Sequence, residues 1–398
     1  MKSVLFLIDG AADTFIEEIK GTPLSVANKP NMDMLAANGE VGLCKTVPDG
    51  LSPGSDVANL SVLGYDPNVC YTGRSPLEAV SMGINLTDTS VTFRANVVTL
   101  SSEENYEDRT MVDYSSGEIT TAESTILVNA VAKELDTEEM KLFAGISYRH
   151  CLVFDKLDEK IGKLTPPHDI SDRKIKEYLP QDEMILSIMK KSYDILKDHP
   201  VNLERIKNGK NPANSLWLWG MGTKPMLDNY KATYGVDAGI ISAVDLLKGI
   251  GILGGLDVIE VEGATGNLET NFVGKAKAAI EKLESGLDFV YLHMEATDEC
   301  GHQGDLKGKI KALEIIDRDV VGKVLDYLEE CGEDFQVVVM PDHPTPIATK
   351  THSSAPVPYL YYSSANPTYC GLTYCEETAV ESGIFLSAGT EIAKKMFR

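Results

Sequence analysis

Aspartate and histidine side chains that could bind metal ions follow short apolar segments at several places in the sequence. They are Asp9, Asp298, His302, Asp342, His343 and His352. Ligand sets that mix carboxylate and imidazole favour manganese, zinc, iron or cobalt over calcium, whereas sites made only of oxygen favour magnesium. The set is large enough for two divalent ions, and two such ions can stabilise the in-line transfer of a phosphoryl group.

Each of these residues also has an ordinary structural explanation. An aspartate after a strand often caps a helix, and Asp-His pairs are common in turns. The metal interpretation is favoured because three of the seven histidines lie in the C-terminal part of the chain, near aspartates that end predicted strands. A further histidine, His293, could support such a site or could be a packed core residue.

The segment LSPGSDVANLSVLGYD places Ser55 at the predicted start of a helix. At that position the helix dipole and the nearby backbone N–H groups stabilise an alkoxide or a bound phosphate. A metal ion on the serine oxygen would lower the hydroxyl pKa further and produce a nucleophile. Serine is also a frequent helix N-cap, and the residues alone favour that simpler explanation.

Strands and helices alternate at both ends of the chain and would position these residues. We predict strands at 3–8, 216–219, 258–261, 289–293 and 337–340, and helices at 238–253, 272–283 and 306–328. This alternation predicts an α/β fold with a doubly wound, mainly parallel sheet that has helices on both faces. Ligands bind at the carboxyl ends of the strands in such sheets, so the aspartates and histidines are expected to converge there.

The middle of the chain has a different pattern. Predicted strands at 91–100 and 151–154 accompany predicted helices at 121–135 and 175–193, and a polar segment at 199–214 is predicted to be the return linker. We therefore predict a discontinuous core domain from residues 1–82 and 201–398. Residues 83–200 are predicted to form an inserted α+β domain.

Composition excludes some classes of partner. The net charge of -23 repels nucleic-acid backbones and anionic membranes, so neither is an expected partner. No apolar segment is long enough to predict a membrane span.

The seven cysteines form no CxxC pair, which is typical of reduced thiols, so a cytoplasmic location is expected. A small phosphorylated substrate would need local cations, and the sequence leaves the oligomeric state open.

Several segments together resemble the archaeal-type cofactor-independent phosphoglycerate mutases of the alkaline phosphatase superfamily. They are LIDGAAD, PGSDVANLSVLGYDP, YTGRSPLEA, TDECGHQGD, MPDHPTP and THSSAPVP. The similarity runs through nearly the whole chain and includes MVDYSSGEI, SYRHCLVF and NPANSLWLWGMG. It implies an alkaline-phosphatase-like fold with an inserted cap domain. It also implies the interconversion of 3-phosphoglycerate and 2-phosphoglycerate through a phosphoserine, without bisphosphoglycerate.

The resemblance also assigns roles to matching residues. It implies one divalent ion held by Asp9, Ser55, Asp342 and His343, and a second held by Asp298, His302 and His352. Manganese is the expected metal, with magnesium, zinc and cobalt as alternatives.

The implied role of Ser55 is to carry the phosphoryl group during turnover. Arg149 and His150 would bind the phosphate or carboxylate of the substrate, and Arg74 and Asp113 are secondary candidates for the same task. An arginine suits this task because its planar guanidinium pairs with two oxygens at once. A salt bridge within the fold is the alternative explanation for both arginines.

Three other functions are compatible with these motifs. One is a phosphotransferase that resembles the proposed homoserine kinases and uses a nucleotide donor, although the sequence has no P-loop and no kinase glycine loop. The second is a metal-dependent phosphatase, and the third is a metal-binding protein without catalytic activity.

Overall fold

A computed structural model describes residues 1–157 and 161–398 of the chain. The chain divides into two compact units. Unit 1 consists of Met1–Tyr71 and Met226–Arg398, and unit 2 consists of Thr72–Pro225. Within the described residues, none of the helices combines the length and the apolar character that crossing a bilayer requires.

The strands are numbered in chain order. They are β1 (Lys2–Ile8), β2 (Glu40–Cys44), β3 (Val91–Leu100), β4 (Met111–Asp113), β5 (Met140–Phe143), β6 (Arg149–Phe154), β7 (Ser215–Thr223), β8 (Ala238–Ile241), β9 (Asp257–Ile259), β10 (Phe289–Met294), β11 (Phe335–Met340), β12 (Val357–Ser363) and β13 (Phe385–Leu386).

The helices are numbered in the same way. They are α1 (Pro23–Val26), α2 (Pro30–Asn38), α3 (Ser55–Val62), α4 (Pro67–Cys70), α5 (Ser75–Ser81), α6 (Thr121–Leu135), α7 (Glu183–Leu196), α8 (Pro200–Lys207), α9 (Tyr230–Tyr234), α10 (Asp245–Gly254), α11 (Phe272–Glu284), α12 (Ala296–Gln303), α13 (Leu306–Ile316), α14 (Gly322–Glu330), α15 (Glu376–Glu381) and α16 (Thr390–Phe397). One turn of π-helix, Asp317–Val321, joins α13 to α14.

Unit 1 is built on an eight-stranded sheet in the order β13-β2-β12-β11-β1-β10-β8-β9. Only β12 is antiparallel to its neighbours, and the remaining pairs are parallel. The predicted α/β class with a mainly parallel sheet is therefore confirmed.

The central strands of this sheet are buried on both faces. Val4, Phe6 and Ile8 of β1 belong to one core cluster with residues of α2, α11, α13 and α14. Leu5 and Leu7 are also buried, and side chains alternate between the two faces of a strand. A continuous apolar sequence such as VLFLI in β1 is expected for a parallel strand that has helices on both sides.

Unit 2 is an α+β unit with a five-stranded antiparallel sheet. The order is β4-β3-β6-β5, and β7 also pairs with β3. Residues of α6 and α7 pack with the strands in one core cluster. Both tryptophans, Trp217 and Trp219, lie in β7 and are buried in this cluster.

The placement of 216–219 in the parallel sheet is wrong, because β7 pairs antiparallel with β3 of unit 2. A short apolar segment does not reveal which sheet it joins. Unit 2 also extends beyond the predicted insertion of 83–200 at both ends, since α5 and β7 belong to it.

Three further predictions differ from the structure at element boundaries. The predicted helix at 238–253 begins with strand β8, and α10 starts only at Asp245. The predicted linker at 199–214 contains helix α8, which His199 caps by accepting a hydrogen bond from the Val201 N–H at 3.2 Å. The predicted helix at 175–193 begins as a short 3₁₀ turn, and α7 starts after the N-cap Asp182.

Candidate metal centre

Three adjacent parallel strands of unit 1 bring the predicted ligands together. In the sheet, β1 lies between β10 and β11. Asp9 directly follows β1, Asp342 follows β11, and Asp298 lies in the first turn of α12, which begins just after β10. Gly10, with φ of +62°, permits the close approach, because a Cβ atom there would lie 2.6 Å from Asp298 Oδ1.

Asp9, Asp342 and His343 form the first group of side chains, which we call the Asp9 cluster. Their ligand atoms lie within 4.8 Å of one another, and all three residues are buried. His343 Nε2 lies 3.6 Å from Asp9 Oδ1 and 3.4 Å from Asp342 Oδ2. Ser55 Oγ lies 3.1 Å from the same nitrogen, so the serine hydroxyl borders this cluster.

Asp298, His302 and His352 form the second group, which we call the Asp298 cluster. Asp298 contacts His302 Nε2 at 3.2 Å and His352 Nε2 at 3.4 Å. The ring of His352 stacks on that of His343, with 3.8 Å between the centroids, so the two clusters are contiguous. All seven predicted ligands, Ser55 included, therefore lie in one region of unit 1.

The Nε2 atoms of His302 and His352 face each other beside Asp298. His302 Nδ1 donates to the Lys350 carbonyl oxygen at 3.0 Å, and His352 Nδ1 donates to the Pro53 carbonyl oxygen at 2.9 Å. In the neutral rings the Nε2 atoms then carry lone pairs, and these two atoms are only 2.9 Å apart. Imidazoles that donate their other N–H to a carbonyl are typical metal ligands, and a cation between the lone pairs fits this geometry.

The buried carboxylates of the Asp9 cluster repel one another. Asp9 Oδ1 is buried and has no hydrogen-bond partner within the described chain. Burial raises the pKa of Asp9, and the negative charges of Asp342 and Asp298 raise it further, against an opposing effect of His293. A buried divalent cation would favour the ionised carboxylates, so the residues present fit such an ion.

In the Asp298 cluster the pKa of the aspartate is lowered, whereas in the Asp9 cluster it is raised. Burial raises the pKa of Asp298, but hydrogen bonds from His302 and His352 outweigh it and lower that pKa. The same contact with Asp298 raises the pKa of His302 to about 9. Burial lowers the pKa of His343, which favours the neutral ring that a metal ligand requires.

Ser55 is the first residue of α3 and not its N-cap. The N-cap is Gly54, which has no side chain that could cap the helix. The simpler explanation of Ser55 as an N-cap is therefore wrong, and its hydroxyl is available for other contacts. The positive end of the helix dipole lies at this residue and would stabilise negative charge on its oxygen.

Comparisons with known proteins give a consistent result. Residues 36–202 match the family model described as 2,3-bisphosphoglycerate-independent phosphoglycerate mutase. The mutase of that name from Methanosarcina acetivorans is 46% identical over 387 residues, which cover 96% of each chain. A probable mutase from Geobacter sulfurreducens is 45% identical over 402 residues, covering 100% of this chain and 99% of the relative. The chain belongs to the 2,3-bisphosphoglycerate-independent phosphoglycerate mutase family.

Solved structures agree with this membership in the mutase family. A Pyrococcus horikoshii protein superposes with a TM-score of 0.80 at 32% identity, covering 99% of this chain and 96% of the other. The cofactor-independent phosphoglycerate mutase of Thermoplasma acidophilum superposes with a TM-score of 0.65 at 26% identity, covering 99% and 98%. The resemblance of the sequence motifs to the cofactor-independent phosphoglycerate mutases is confirmed.

The four residues predicted to bind substrate in this mutase family member all lie in unit 2. Arg149 begins β6 and is exposed, with its guanidinium 5.1 Å from the centre of the Tyr148 ring. His150 is buried, and its Nδ1 accepts a hydrogen bond from the Gly145 N–H at 3.0 Å.

Arg74 and Asp113 have clear structural contacts within unit 2. Arg74 Nε donates to Glu78 at 2.8 Å, as the salt-bridge alternative predicts. Asp113 accepts hydrogen bonds from the Ser115 and Gly117 N–H groups at 2.8 and 2.6 Å and from the Asn211 amide at 2.8 Å. These contacts give Asp113 a turn-stabilising role.

Three arginines surround one carboxylate in unit 2. Burial raises the pKa of Glu78, but Arg94, Arg74 and Arg149 outweigh it and lower that pKa. Arg94 Nε lies 2.9 Å from Glu78 and its guanidinium stacks over Trp219, with the carbon 4.3 Å from the ring centre. Three guanidinium groups therefore act on this one carboxylate, and they form a local cluster of cationic side chains in an acidic protein.

Sequence reasoning missed two residues that support the ligands. Asn59 donates from its amide to Asp342 Oδ2 at 2.9 Å and to the Ser55 carbonyl oxygen at 2.8 Å. Tyr291 donates to Asn59 Oδ1 at 2.6 Å. Asn59 lies four residues after Ser55, a spacing that places both on one side of the helix and could have identified it. No pattern in the sequence identifies Tyr291.

Proposed function

We propose that the chain interconverts 3-phosphoglycerate and 2-phosphoglycerate without added bisphosphoglycerate, through a phosphoserine at Ser55. The main support is the position of Ser55 Oγ, 3.1 Å from His343 Nε2 and beside the Asp9 cluster. The names of full-length relatives at 45–46% identity support the choice of substrate.

The reaction has two displacements at phosphorus. Ser55 Oγ loses its proton and attacks the phosphorus atom, the bond between phosphorus and the C3 oxygen breaks, and the C3 oxygen takes up a proton. The C2 hydroxyl of the same glycerate then loses its proton, attacks the phosphoserine and frees the Ser55 oxygen, which is protonated again. The atoms balance without a second phosphate donor.

We propose two divalent ions in this centre, one at the Asp9 cluster with Ser55 and one at the Asp298 cluster. When bound, they would lower the pKa of the Ser55 hydroxyl and neutralise charge on the transferring phosphoryl group. The mixture of carboxylate and imidazole ligands supports manganese, with magnesium, zinc and cobalt as alternatives. A cytoplasmic location remains a prediction.

Arg149 and His150 are proposed to bind the phosphate or carboxylate of the substrate. Arg149 is exposed at the start of β6 and adds to the positive charge around Glu78. An arginine can pair with two oxygens of a phosphate or carboxylate. His150, buried and with its Nε2 unpartnered among the described residues, would offer one N–H donor.

The direct test supplies 3-phosphoglycerate to the manganese-loaded protein and follows 2-phosphoglycerate with no bisphosphoglycerate present. Formation of 2-phosphoglycerate, and its loss after chelation, is the expected result. Release of free phosphate without isomer formation would instead indicate a phosphatase. Consumption of ATP that depends on homoserine would indicate the kinase-like alternative.

The phosphoserine is tested with a Ser55→Ala variant. We expect at least about a 1,000-fold loss of kcat, because the residue that accepts the phosphoryl group is absent. Mass spectrometry of acid-quenched protein should find one added phosphoryl group on the peptide that contains Ser55, and none in the variant. The control Ser52→Ala removes an exposed hydroxyl from the same loop and should keep full activity. Full activity of Ser55→Ala would reject the mechanism.

A further inference from the structure

A row of buried charged residues leads from helix α11 to the Asp9 carboxylate. His293, in β10, has both ring nitrogens against carboxylate oxygens: Nε2 lies 3.0 Å from Asp9 Oδ2 and Nδ1 lies 3.1 Å from Glu295 Oε1. The His293 side chain is completely buried. Its orientation is therefore fixed from both sides.

Glu295 is itself fixed by groups from two other elements. Its Oε1 accepts hydrogen bonds from the Ala243 N–H at 2.7 Å and from Ser242 Oγ at 3.2 Å, both just beyond β8. Its Oε2 pairs with the ammonium group of Lys275 in α11. Lys275 Nζ also donates to the His293 carbonyl oxygen at 2.8 Å.

Lys275 and Glu295 form an ion pair with side chains that are 0% and 5% exposed. Removing charged groups from water is costly, and a buried ion pair often contributes little net stability compared with apolar residues of the same size. The row of Lys275, Glu295 and His293 is better explained by the orientation that it imposes on Asp9, the residue at its end.

That end is Asp9, whose two oxygens have different surroundings. Oδ2 is held by His293. Oδ1 has no hydrogen-bond partner in the described residues and lies 3.6 Å from His343 Nε2. The row therefore occupies one oxygen and directs the other toward Asp342 and His343.

We propose that Lys275, Glu295 and His293 are positioning residues that hold the Asp9 carboxylate with Oδ1 directed into the Asp9 cluster, and so set the affinity of that cluster for a divalent cation. The inference rests on the proposed metal centre but not on the identity of the substrate. Residues that orient a metal ligand typically change metal affinity by about 10- to 100-fold when they are replaced.

The first test removes both charges of the buried pair in the double variant Lys275→Met/Glu295→Gln. Isothermal titration of the chelator-treated full chain with manganese chloride measures the dissociation constant of each site. We expect the site at the Asp9 cluster to weaken by about 10- to 100-fold, while the site at the Asp298 cluster stays within about threefold.

A matched control is available on the same helix. Lys277 and Glu281 form an exposed ion pair of 3.5 Å in α11, so Lys277→Met/Glu281→Gln makes the same change in composition and net charge at the surface. This control should bind manganese as the native chain does. Equal weakening in the control and in the buried variant would overturn the proposal, as would equal weakening of both metal sites.

A second pair of variants keeps the buried ion pair and changes only His293. His293→Gln retains a side-chain amide that can donate to Asp9 Oδ2, whereas His293→Ala removes the donor. We expect His293→Ala to weaken the Asp9 site by about 10- to 100-fold and His293→Gln to restore most of the affinity. Unchanged manganese affinity in His293→Ala would overturn the proposal.

These measurements separate the inference from the proposed function. A chain that binds manganese as expected but forms no 2-phosphoglycerate would reject the mutase proposal and leave the positioning role in place. A native chain that binds no manganese would reject both the metal centre and the positioning role.

Discussion

His150 has two ring nitrogens in different environments. Nδ1 accepts a hydrogen bond from the Gly145 N–H, so the single proton of the neutral ring is on Nε2. Burial, with a smaller contribution from the positive charge of Arg149, lowers the pKa of His150 to about 3. The residue is therefore a neutral N–H donor at physiological pH.

The buried His150 predicts a loss of stability in acid. Its folded pKa lies below the unfolded value of about 6.5, so the unfolded chain gains a proton first as the pH falls. Stability should decrease from about pH 6.5 down to about pH 3. Between pH 7.5 and pH 5 the free energy of unfolding should fall by about 2 kcal/mol more for the native chain than for His150→Asn. The amide oxygen of the asparagine can still accept the hydrogen bond from Gly145.

Urea unfolding followed by tryptophan fluorescence measures this effect, because both tryptophans lie in unit 2 with His150. Between pH 7.5 and 9 the native chain and the variant should show the same pH dependence. Parallel stability curves down to pH 5 would contradict the prediction.

The exposed position of Arg149 predicts that its replacement changes substrate binding and not stability. Arg149→Ala should raise the KM for phosphoglycerate roughly 10- to 100-fold, since a charge-assisted hydrogen bond is worth about 1.5–3 kcal/mol. Steady-state kinetics measures KM and kcat separately. The control Arg173→Ala removes an exposed arginine from the same unit and should leave both constants unchanged. An unchanged KM in Arg149→Ala would show that Arg149 does not bind the substrate.

The π turn between α13 and α14 caps helix α2 through the side chain of Asp317. Asp317 Oδ1 accepts from the Met32 N–H at 2.8 Å, and Oδ2 accepts from the Asn31 N–H at 3.2 Å. These donors lie in the first turn of α2, where N–H groups lack partners within the helix and where Lys29 provides no side-chain cap. A carboxylate from a distant helix therefore takes the place of a local N-cap.

Asp317→Ala should lower the free energy of unfolding by about 1–3 kcal/mol, because it leaves buried N–H groups unpaired. Asp317→Asn keeps an acceptor oxygen and should lose less. The control Asp319→Ala, in the same π turn but partly exposed, should change stability by less than about 0.5 kcal/mol. Circular dichroism is the suitable measurement, because the tryptophans are in unit 2. Equal losses for Asp317→Ala and Asp319→Ala would contradict the capping role.

The candidate metal centre of unit 1 draws its residues from distant parts of the sequence. Asp9 comes from the N-terminal strand, whereas Asp298, Asp342 and His352 come from the last third of the sequence. Bound cations would connect these distant segments and reduce the repulsion among buried carboxylates. Metal binding and folding of unit 1 should therefore be thermodynamically linked.

Manganese should raise the thermal midpoint of the chelator-treated chain. At a concentration of about 100 times the dissociation constant, binding stabilises the folded state by about 2.7 kcal/mol per site. Thermal melting by circular dichroism, with and without manganese, measures the shift. Asp298→Asn should lose about half of it, because one of two sites is weakened. A shift of the same size in this variant would contradict the assignment of Asp298 as a ligand.

The sequence alone predicts the family and the α/β class, both of which are confirmed, and it identifies candidate ligand residues. Buried apolar segments such as VLFLID are local patterns, and the position of Asp9 at the end of one of them can be read directly. A predicted strand does not reveal which sheet it joins. The apolar residues of β7, for example, fit either a parallel or an antiparallel sheet. The polar residues around His199 and Pro200 predict a linker, whereas the folded chain forms helix α8 there.

Local sequence patterns do not predict which groups surround the candidate ligands in the folded chain. Asn59 at Asp342, Tyr291 at Asn59, and Lys275 at Glu295 are contacts between residues that no local periodicity connects. Such contacts depend on which strands become neighbours in the sheet, and many pairings are compatible with the same pattern of apolar and polar residues. The sequence thus identifies candidate ligands, while the folded chain sets the direction in which the side-chain atoms of each candidate point.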